Sequence, residues 1–416
     1  MYRIIFILTI VLLGIDVSKI NAQEKKNISL SVETAVDIAI KNNPELKILR
    51  KNIKAFQAVK LQQGLLSNPE LEIEAGNIFG TKNYKGFDGS EITFSLSQNI
   101  MLAGKISKRE KVAEMDIVLA EWDYEEKRVE LLTEIRKTFT NALSLQQLVY
   151  KNKELLEISE KLIADLKKRV KAGKVSPVEI SRSKIIKNSL QTEIRKIEAL
   201  YQDVVTELAS LINDPNFVIQ SLKGKLNTGV ILPDYSSLIS KLENNPKLKR
   251  FSSEYNKQES VIVYEEAKAT PDLTISMGIK NLAEAKANAF VLGASMPLPL
   301  FDKNQGSILE AKIRLDQKKE EFQNVKNKLT LRLNLLFNRL VTLLKVEEKF
   351  NNETIPEAKK VFAEIKKGNM AGLFTSLDVL DAQRTLFEIQ NDYLINKKDI
   401  QMTLAEIEGL TVSKIK

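Results

Sequence analysis

The chain uses nearly the same phrase twice: "KNNPELK" at Lys41–Lys47 and "ENNPKLK" at Glu243–Lys249, 202 residues apart. The surroundings keep the same register. Pro69 follows Pro44 by 25 residues, Pro271 follows Pro246 by 25, and Gly104 precedes Gly306 by 202. Landmarks repeated at a fixed offset mean one long supersecondary unit written twice, not a single continuous core. What such a unit can and cannot do alone decides the rest.

Bulk properties narrow the chemistry. The chain of 416 residues has no cysteine and no histidine. That removes disulfides, thiol nucleophiles, imidazole bases and the two commonest zinc ligands. The net charge of +9 comes from 63 Lys and Arg against 54 Asp and Glu interspersed along the chain. No basic cluster interleaved with aromatics stands out, so the charge predicts a solvated helix surface and no nucleic-acid partner. Residues 1–22 place Arg3 before an apolar run from Ile4 to Ile15 and end at "INA". The run is too short to span a bilayer and predicts a cleavable export signal ending near Ala22. No carboxylate pair, glycine-rich phosphate loop or metal-ligand spacing supports an enzyme or a bound cofactor.

The first repeat occupies residues 23–213, the second 235–416, with 214–234 as a linker or equatorial segment. Each opens with an amphipathic helix, "SVETAVDIAIKNN" or "YSSLISKLENN", and a proline then starts a further helix. The period next changes to two. Leu71, Ile73 and Ala75 alternate with Glu72, Glu74 and Gly76; Ile92, Phe94 and Leu96 alternate with Thr93, Ser95 and Ser97. The second copy repeats the pattern, predicting strands at about 70–79, 91–98, 272–280 and 289–297. Ten-residue segments with one apolar face suit a transmembrane β-strand, although a strand half-buried in a soluble sandwich gives the same alternation.

Long helical hairpins follow, at 105–212 and 307–410. From Gly104 to Gly173 no proline or internal glycine interrupts, and Ile117, Ala120, Tyr124, Leu131, Ile135, Phe139, Ala142 and Val149 recur at helical steps. At ~1.5 Å per residue the helix reaches on the order of 100 Å. Its counterpart carries Pro356, which predicts a kink. Counted to Gly368, the second arm is shorter by seven residues, one heptad. Gly173 and Gly368 are the expected helix caps, with Ser176–Pro177 and Ser376 opening the return helices.

Four strands cannot close in lipid, where every edge must be paired and known barrels begin at eight. A membrane location therefore demands an oligomer: two copies make a plugged eight-strand barrel, three an open twelve-strand one.

The chain resembles the TolC-type outer-membrane factor (outer membrane efflux protein) family over nearly all its length. The residues that carry the likeness are "NNPEL" and "NNPKL", "PLPLFDKNQG" at Pro297–Gly306, and "SLDVLDAQRTLFEIQNDYLINKKDIQMTLAEIEGL" near the C-terminus. "PLPLFDKNQG" is most similar to the branch serving heavy-metal cation pumps of the resistance–nodulation–division type. "SLSQNIMLAGK" departs from the family pattern, with Asn99 where proline is usual. The resemblance implies a mainly α protomer with four β-strands. Three copies would build a 12-strand β-barrel in outer-membrane lipid, continued by an α-helical barrel through the periplasm. Such a homotrimer is a passive exit duct working with a periplasmic adaptor and an inner-membrane pump. It also implies adaptor-contacting tips at Gly173, Lys174, Ser176, Gly368, Asn369 and Gly372, and a periplasmic aperture at Asp378 and Asp381.

Carboxylates at i and i+3 share a helix face. Three chains would converge six of them, each like-charged pair costing roughly 3 kcal/mol at ~6 Å before salt screening. Such a ring raises carboxylate pKa values and attracts cations. The matching positions in the first repeat are Glu179 and Arg182, so Arg182 is a candidate lock against Asp378 or Asp381. The bland alternative is that both aspartates simply favour the dipole of a helix start. Two other functions remain open at this stage: the exit channel of a type I protein secretion system, separable by gene neighbourhood, and a soluble periplasmic coiled-coil scaffold, separable by its independence of detergent.

Overall fold

A computed structural model describes residues 26–213, 217–226 and 229–414. The expected signal segment, 1–22, lies outside them.

The repeated phrase is a helix–helix junction. The first helix, α1 (Val32–Asn42), ends and α2 (Pro44–Gln63) begins on Asn43. Its backbone N–H closes the first helix on Ala39 O at 2.8 Å, and its side chain caps the second by accepting from Leu46 N at 3.0 Å. In the second repeat α5 (Tyr235–Leu242) and α6 (Pro246–Lys268) meet at Asn245 in the same manner, its Oδ1 accepting from Lys247 N at 3.0 Å. Proline at the first helical position lacks only an N–H that would have been orphaned anyway. The Asn245 side chain also ties the junction to the C-terminal helix, its Nδ2 donating to Leu410 O at 2.9 Å.

The long arms are α3 (Lys105–Lys171), α4 (Pro177–Ile212), α7 (Gln305–Lys349), α8 (Ile355–Met370) and α9 (Ser376–Thr411). The kink expected at Pro356 is a five-residue π-helical segment, Phe350–Thr354, between α7 and α8. A proline near the start of α8 cannot donate back into the preceding turn, and the ladder opens there.

Two landmarks move. Gly104 holds the left-handed turn before α3 (φ 65°), but in the second repeat Asn304 holds it (φ 58°), and Gly306 lies inside the first turn of α7. At the far end Gly368 lies inside α8, and Gly372 (φ 81°) is the partner of Gly173 (φ 68°). Measured between turn residues, the arms span 69 residues (Gly104 to Gly173) and 68 (Asn304 to Gly372), so they differ by one residue rather than a heptad.

Two apolar clusters lie at the level of the junctions. One gathers Leu30, Leu46, Ile135, Phe139, Leu208 and Ile212; the other Leu238, Leu242, Leu333, Leu340, Ile400 and Ile407. Each fully buried side chain of this size contributes roughly 1.5–3 kcal/mol. The segment expected as a linker, 214–234, contains a strand. There β4 (Phe217–Leu222) pairs in parallel with β1 (Lys26–Leu30). Gln146 of α3 clips this pair, donating to Leu222 O at 3.0 Å and accepting from Leu222 N at 2.9 Å. In β1 Ile28 and Leu30 alternate with Asn27 and Ser29, but over only five residues, and β4 opens on the unbroken apolar run Phe217–Ile219, so neither gives the long alternation of the other strands.

The remaining strands form one antiparallel sheet in the order β2 (Glu70–Gly76), β3 (Glu91–Ile100), β5 (Leu273–Leu282), β6 (Ala287–Ser295). Relative to expectation, β2 stops at Gly76 because Asn77 and Phe79 turn left-handed. Strand β3 runs on through Asn99 to Ile100, where no proline interrupts it. Strand β6 ends before Pro297 and Pro299.

Candidate functional site

The sheet separates two chemistries. Register places Leu71, Leu96, Met277 and Leu292 in one row across all four strands, and Ile73, Phe94, Ile279 and Phe290 in the next. These eight side chains are 49–88% exposed. Directly opposed residues share a face, so the rows make a continuous apolar surface that nothing among the described residues covers. The other face carries Glu72, Ser95, Gly278 and Val291, then Glu74, Thr93, Lys280 and Ala289. Lys280 Nζ reaches Glu91 at 2.8 Å, and Ser95 Oγ donates to Glu72 at 3.4 Å. Gly278 is required by close approach: a Cβ there would lie 2.5 Å from Phe94 O. The lateral edges of the sheet, on β2 and β6, are both bare among the described residues. An apolar face, a polar face and two unpaired edges describe a slice of barrel wall.

The joint between sheet and helices is ionic. Asp272, just before β5, accepts from Lys105 Nζ at 2.7 Å and from Leu102 N at 3.0 Å, binding the start of α3 to the second repeat's sheet. Lys105 is buried. An acid fixed between repeats carries no periodic signature, and the sequence reading passed over it.

At the opposite end the two hairpins make the same turn. Lys174 N bonds to Arg169 O at 2.9 Å and Leu373 N to Gly368 O at 2.9 Å, both six-residue closures around a left-handed glycine. Ser176 caps α4 through Val178 N at 3.3 Å. Thr375, not Ser376, caps α9. Asn369 Nδ2 ties the second turn by donating to Phe374 O at 2.8 Å, and the Phe374 ring covers Gly368, where a Cβ would meet it at 2.5 Å. That cover is why the helix keeps glycine at a position that is not its cap.

The two aspartates part company. Asp378 is locked in a capping box: its Oδ2 accepts from Thr375 N and Thr375 Oγ1, each at 2.7 Å, and Asp378 N donates to Thr375 Oγ1 at 3.1 Å. The hydroxyl and then the backbone N–H of Thr375 hold the Asp378 carboxyl below the usual aspartate range. Asp381 is exposed, with Arg384 Nη2 at 3.4 Å. Both border a groove of about 880 Å³ between α8 and α9, with Glu353, Glu357, Ile365 and Phe374. In the first hairpin Arg182 Nη1 lies 3.6 Å from Glu179, its neighbour on α4.

One buried acid went unnoticed. Glu347 continues the stripe Leu333, Leu336, Leu340 at the next step of seven, in the last turn of α7 before the π-helical segment. Its Oε1 has no hydrogen-bond partner among the described residues. Burial pushes its carboxyl up, opposed by Lys397; burial pushes the Lys397 ammonium down. Lys397 Nζ lies 4.2 Å over the Tyr393 ring, and Tyr393 packs on Phe350.

The model of the outer membrane efflux protein family matches residues 35–214 and 238–411, one match to each repeat. The chain belongs to that family. It is 28% identical over 367 residues to the cobalt-zinc-cadmium resistance protein CzcC of Cupriavidus metallidurans, covering 88% of this chain and 86% of that one. The nickel and cobalt resistance protein CnrC of the same organism is 22% identical over 268 residues, 64% of this chain and 62% of that protein. The open-state MtrE outer membrane channel of Neisseria gonorrhoeae superimposes with a TM-score of 0.73 at 14% identity, covering 92% of this chain and 89% of that one. This efflux protein is thus a channel protomer with the fold of the outer-membrane channels, and its family is one of transporters rather than enzymes. Among the described residues no helix is long and apolar enough to cross a membrane; the apolar face belongs to the sheet.

Proposed function

We propose that this outer membrane efflux channel acts as a homotrimer that passively passes heavy-metal cations from the periplasm to the exterior. The observation that carries the reading is the four-stranded sheet with an exposed apolar face and two bare edges. In lipid such a sheet is stable only when other copies complete the wall. Three copies give twelve strands and an open lumen lined by the Glu72–Glu74 face. The long hairpins then stand together as the periplasmic helical barrel.

Metal cations are the favoured cargo because relatives matched along most of the chain are named for cobalt, zinc, cadmium and nickel resistance. The twin turns at Gly173–Ser176 and Gly368–Gly372 are the surfaces offered to a periplasmic adaptor, itself joined to an inner-membrane pump of the resistance–nodulation–division type. Asp381, aided by Asp378, forms the aperture ring, and Arg182 of a neighbouring copy closes against it. Export relies on removal of the segment ending near Ala22. Deletion of the gene tests the cargo. Sensitivity should rise to zinc, cobalt, cadmium or copper while a drug panel stays unchanged; the reverse pattern refutes metal efflux.

A further inference from the structure

The apolar face of the sheet has a marked limit at the end away from the helices. Beyond the rows of Leu71 and Ile73, the next row runs Ala75, Ile92, Asn281, Asn288. There Asn281 Nδ2 donates to Asn288 Oδ1 at 2.8 Å. Paired amides belong where hydrocarbon ends and polar groups begin. Past this row the two repeats part. The β5–β6 turn (283–286) has four residues, two of them alanine, whereas the β2–β3 connection (77–90) has fourteen.

The longer loop is a built object. Phe79 N–H donates to Gly86 O at 2.9 Å, Gly80 N–H donates to Tyr84 O at 2.8 Å, and a short 3-10 turn, Lys82–Tyr84, closes the tip. Tyr84 packs across the loop: a Cβ at Gly89 would lie 2.8 Å from its Cδ1 and 2.7 Å from Asn83 O. The base is tied to the other repeat, Ala283 N–H donating to Ser90 O at 3.0 Å, with Ser90 buried. Within this frame Asn77, Phe79 and Lys82 are left-handed, at φ 55°, 54° and 56°. For a bulky ring such as Phe79 that backbone persists only where the surroundings enforce it. What the frame holds out is apolar and cationic. Phe79 and Phe87 meet edge to face with centroids 4.9 Å apart, yet they are 72% and 61% exposed. Lys82 and Lys85 are exposed, and neither makes an ion pair among the described residues. Asp88 is the loop's single acid.

Resting on the reading of the sheet as membrane wall, we propose that the loop 77–90 binds the phosphate-bearing headgroup of an outer-leaflet lipid. Phe79 and Phe87 lie at the boundary between headgroup and acyl chain, and Lys82 and Lys85 take the phosphate. Position selects this occupant. The loop continues the apolar face past its amide edge, so the first molecules it meets are the headgroups of the lipids that cover that face. Aromatic rings are favoured at that boundary. A lysine ammonium meets a phosphate as a point charge, and near an anionic surface each one multiplies affinity severalfold. Free phosphate would satisfy the lysines but leave the two rings uncovered, so the lipid is the source that fits both. The four-residue turn of the second repeat carries no ring and one lysine, Lys286. Each copy therefore carries one such site.

Tryptophan fluorescence tests the proposal. The chain's single tryptophan, Trp122, is replaced by Phe. A reporter is then placed in the loop by Phe87→Trp or, as a control within the apolar rows, by Leu292→Trp. The full chain is reconstituted in phosphatidylcholine vesicles brominated either high on the acyl chains or near their ends. The loop reporter should be quenched more by the shallow bromines, the Leu292→Trp reporter more by the deep ones. In neutral detergent, titration with lipid A, a phosphorylated glycolipid, should shift the Phe87→Trp emission. Lys82→Gln with Lys85→Gln should raise the concentration for half the shift by at least about tenfold. An unquenched loop reporter beside a quenched Leu292→Trp overturns the lipid site and leaves the membrane wall standing. Quenching of neither overturns both. A titration unchanged by the lysine variants, or reproduced by inorganic phosphate alone, overturns the lipid phosphate as ligand. Phe79→Trp repeats the measurement should Phe87→Trp fail to fold.

Discussion

Gly409 of α9, in the second repeat, packs tightly against Thr133 of α3, in the first. A Cβ at Gly409 would lie 2.3 Å from Thr133 Oγ1 and 3.3 Å from both Thr133 Cβ and Cγ2. Thr133 is not free to swing away, because its hydroxyl donates to Val129 O at 2.9 Å. Ion pairs bracket the crossing, Lys137–Glu406 at 2.9 Å and Arg136–Glu408 at 2.5 Å, so the helices cannot slide apart cheaply. Gly409→Ala therefore overpacks the contact, which costs about 1–3 kcal/mol. Replacing glycine within a helix returns about 0.5–1 kcal/mol. The net expectation is destabilisation of about 1–2 kcal/mol, or a melting point lower by about 1–2 °C for a chain of this size. Adding Thr133→Ala removes the obstructing atoms. The double variant should then be more stable than the sum of the single changes by about 1 kcal/mol or more, the signature of direct contact. Circular dichroism melts of detergent-solubilised protein, run as a four-member cycle at one scan rate, supply the comparison. A Gly409→Ala protein as stable as the parent, or strict additivity in the cycle, would refute the close-packed crossing between repeats.

Three further outcomes are expected. Asp378→Asn keeps an acceptor for Thr375, so in planar bilayers it tests charge alone, and Asp381→Ala tests the carboxylate outside the cap; the aperture role requires that Asp381→Ala alter conductance and divalent-cation block, with Asp378→Asn adding to the change. Asp272→Ala strands the buried Lys105 ammonium and the Leu102 N–H, and should cost about 1.5–3 kcal/mol in the same melts, with Asp272→Asn costing less. Glu347 has a carboxyl held above the ordinary glutamate value of 4.5 by burial. The folded state thus retains a proton that the unfolded state releases, and the stability this group contributes is present below that value and lost as pH rises through its raised pKa. The advantage of the parent over Glu347→Gln in melting point should therefore shrink or reverse as pH rises from about 4.5; an advantage that grows with pH contradicts a buried, raised carboxyl.

Periodicity and punctuation made the architecture legible. Pro44 and Pro246 announced helix starts because proline is at home in a first turn, and Leu71, Ile73, Phe94 and Phe290 announced strands because a two-sided wall must alternate. What stayed hidden depends on pairing rather than period. Nothing in "FVIQSL" says that Phe217–Leu222 will pair with Lys26–Leu30, since parallel partners of a two-stranded sheet share no local pattern. Gly368 misled because glycine near a helix end is ordinarily its cap, whereas here its missing Cβ makes room for the Phe374 ring. Glu347 shows the same limit from the other side. Its position continued the apolar stripe seven residues past Leu340, and a carboxylate at a stripe position is a cost without a visible partner. The structure puts it beside Lys397 at the one place where the long arm changes helical form. For the aspartates the hairpin turn is decisive. It sets Asp378 at the third position of α9, where capping Thr375 consumes its acceptors, and carries Asp381 three residues on, clear of the cap. Paired acids in a sequence are therefore not equivalent: Asp378 builds the tip, while Asp381 stays exposed with only Arg384 beside it.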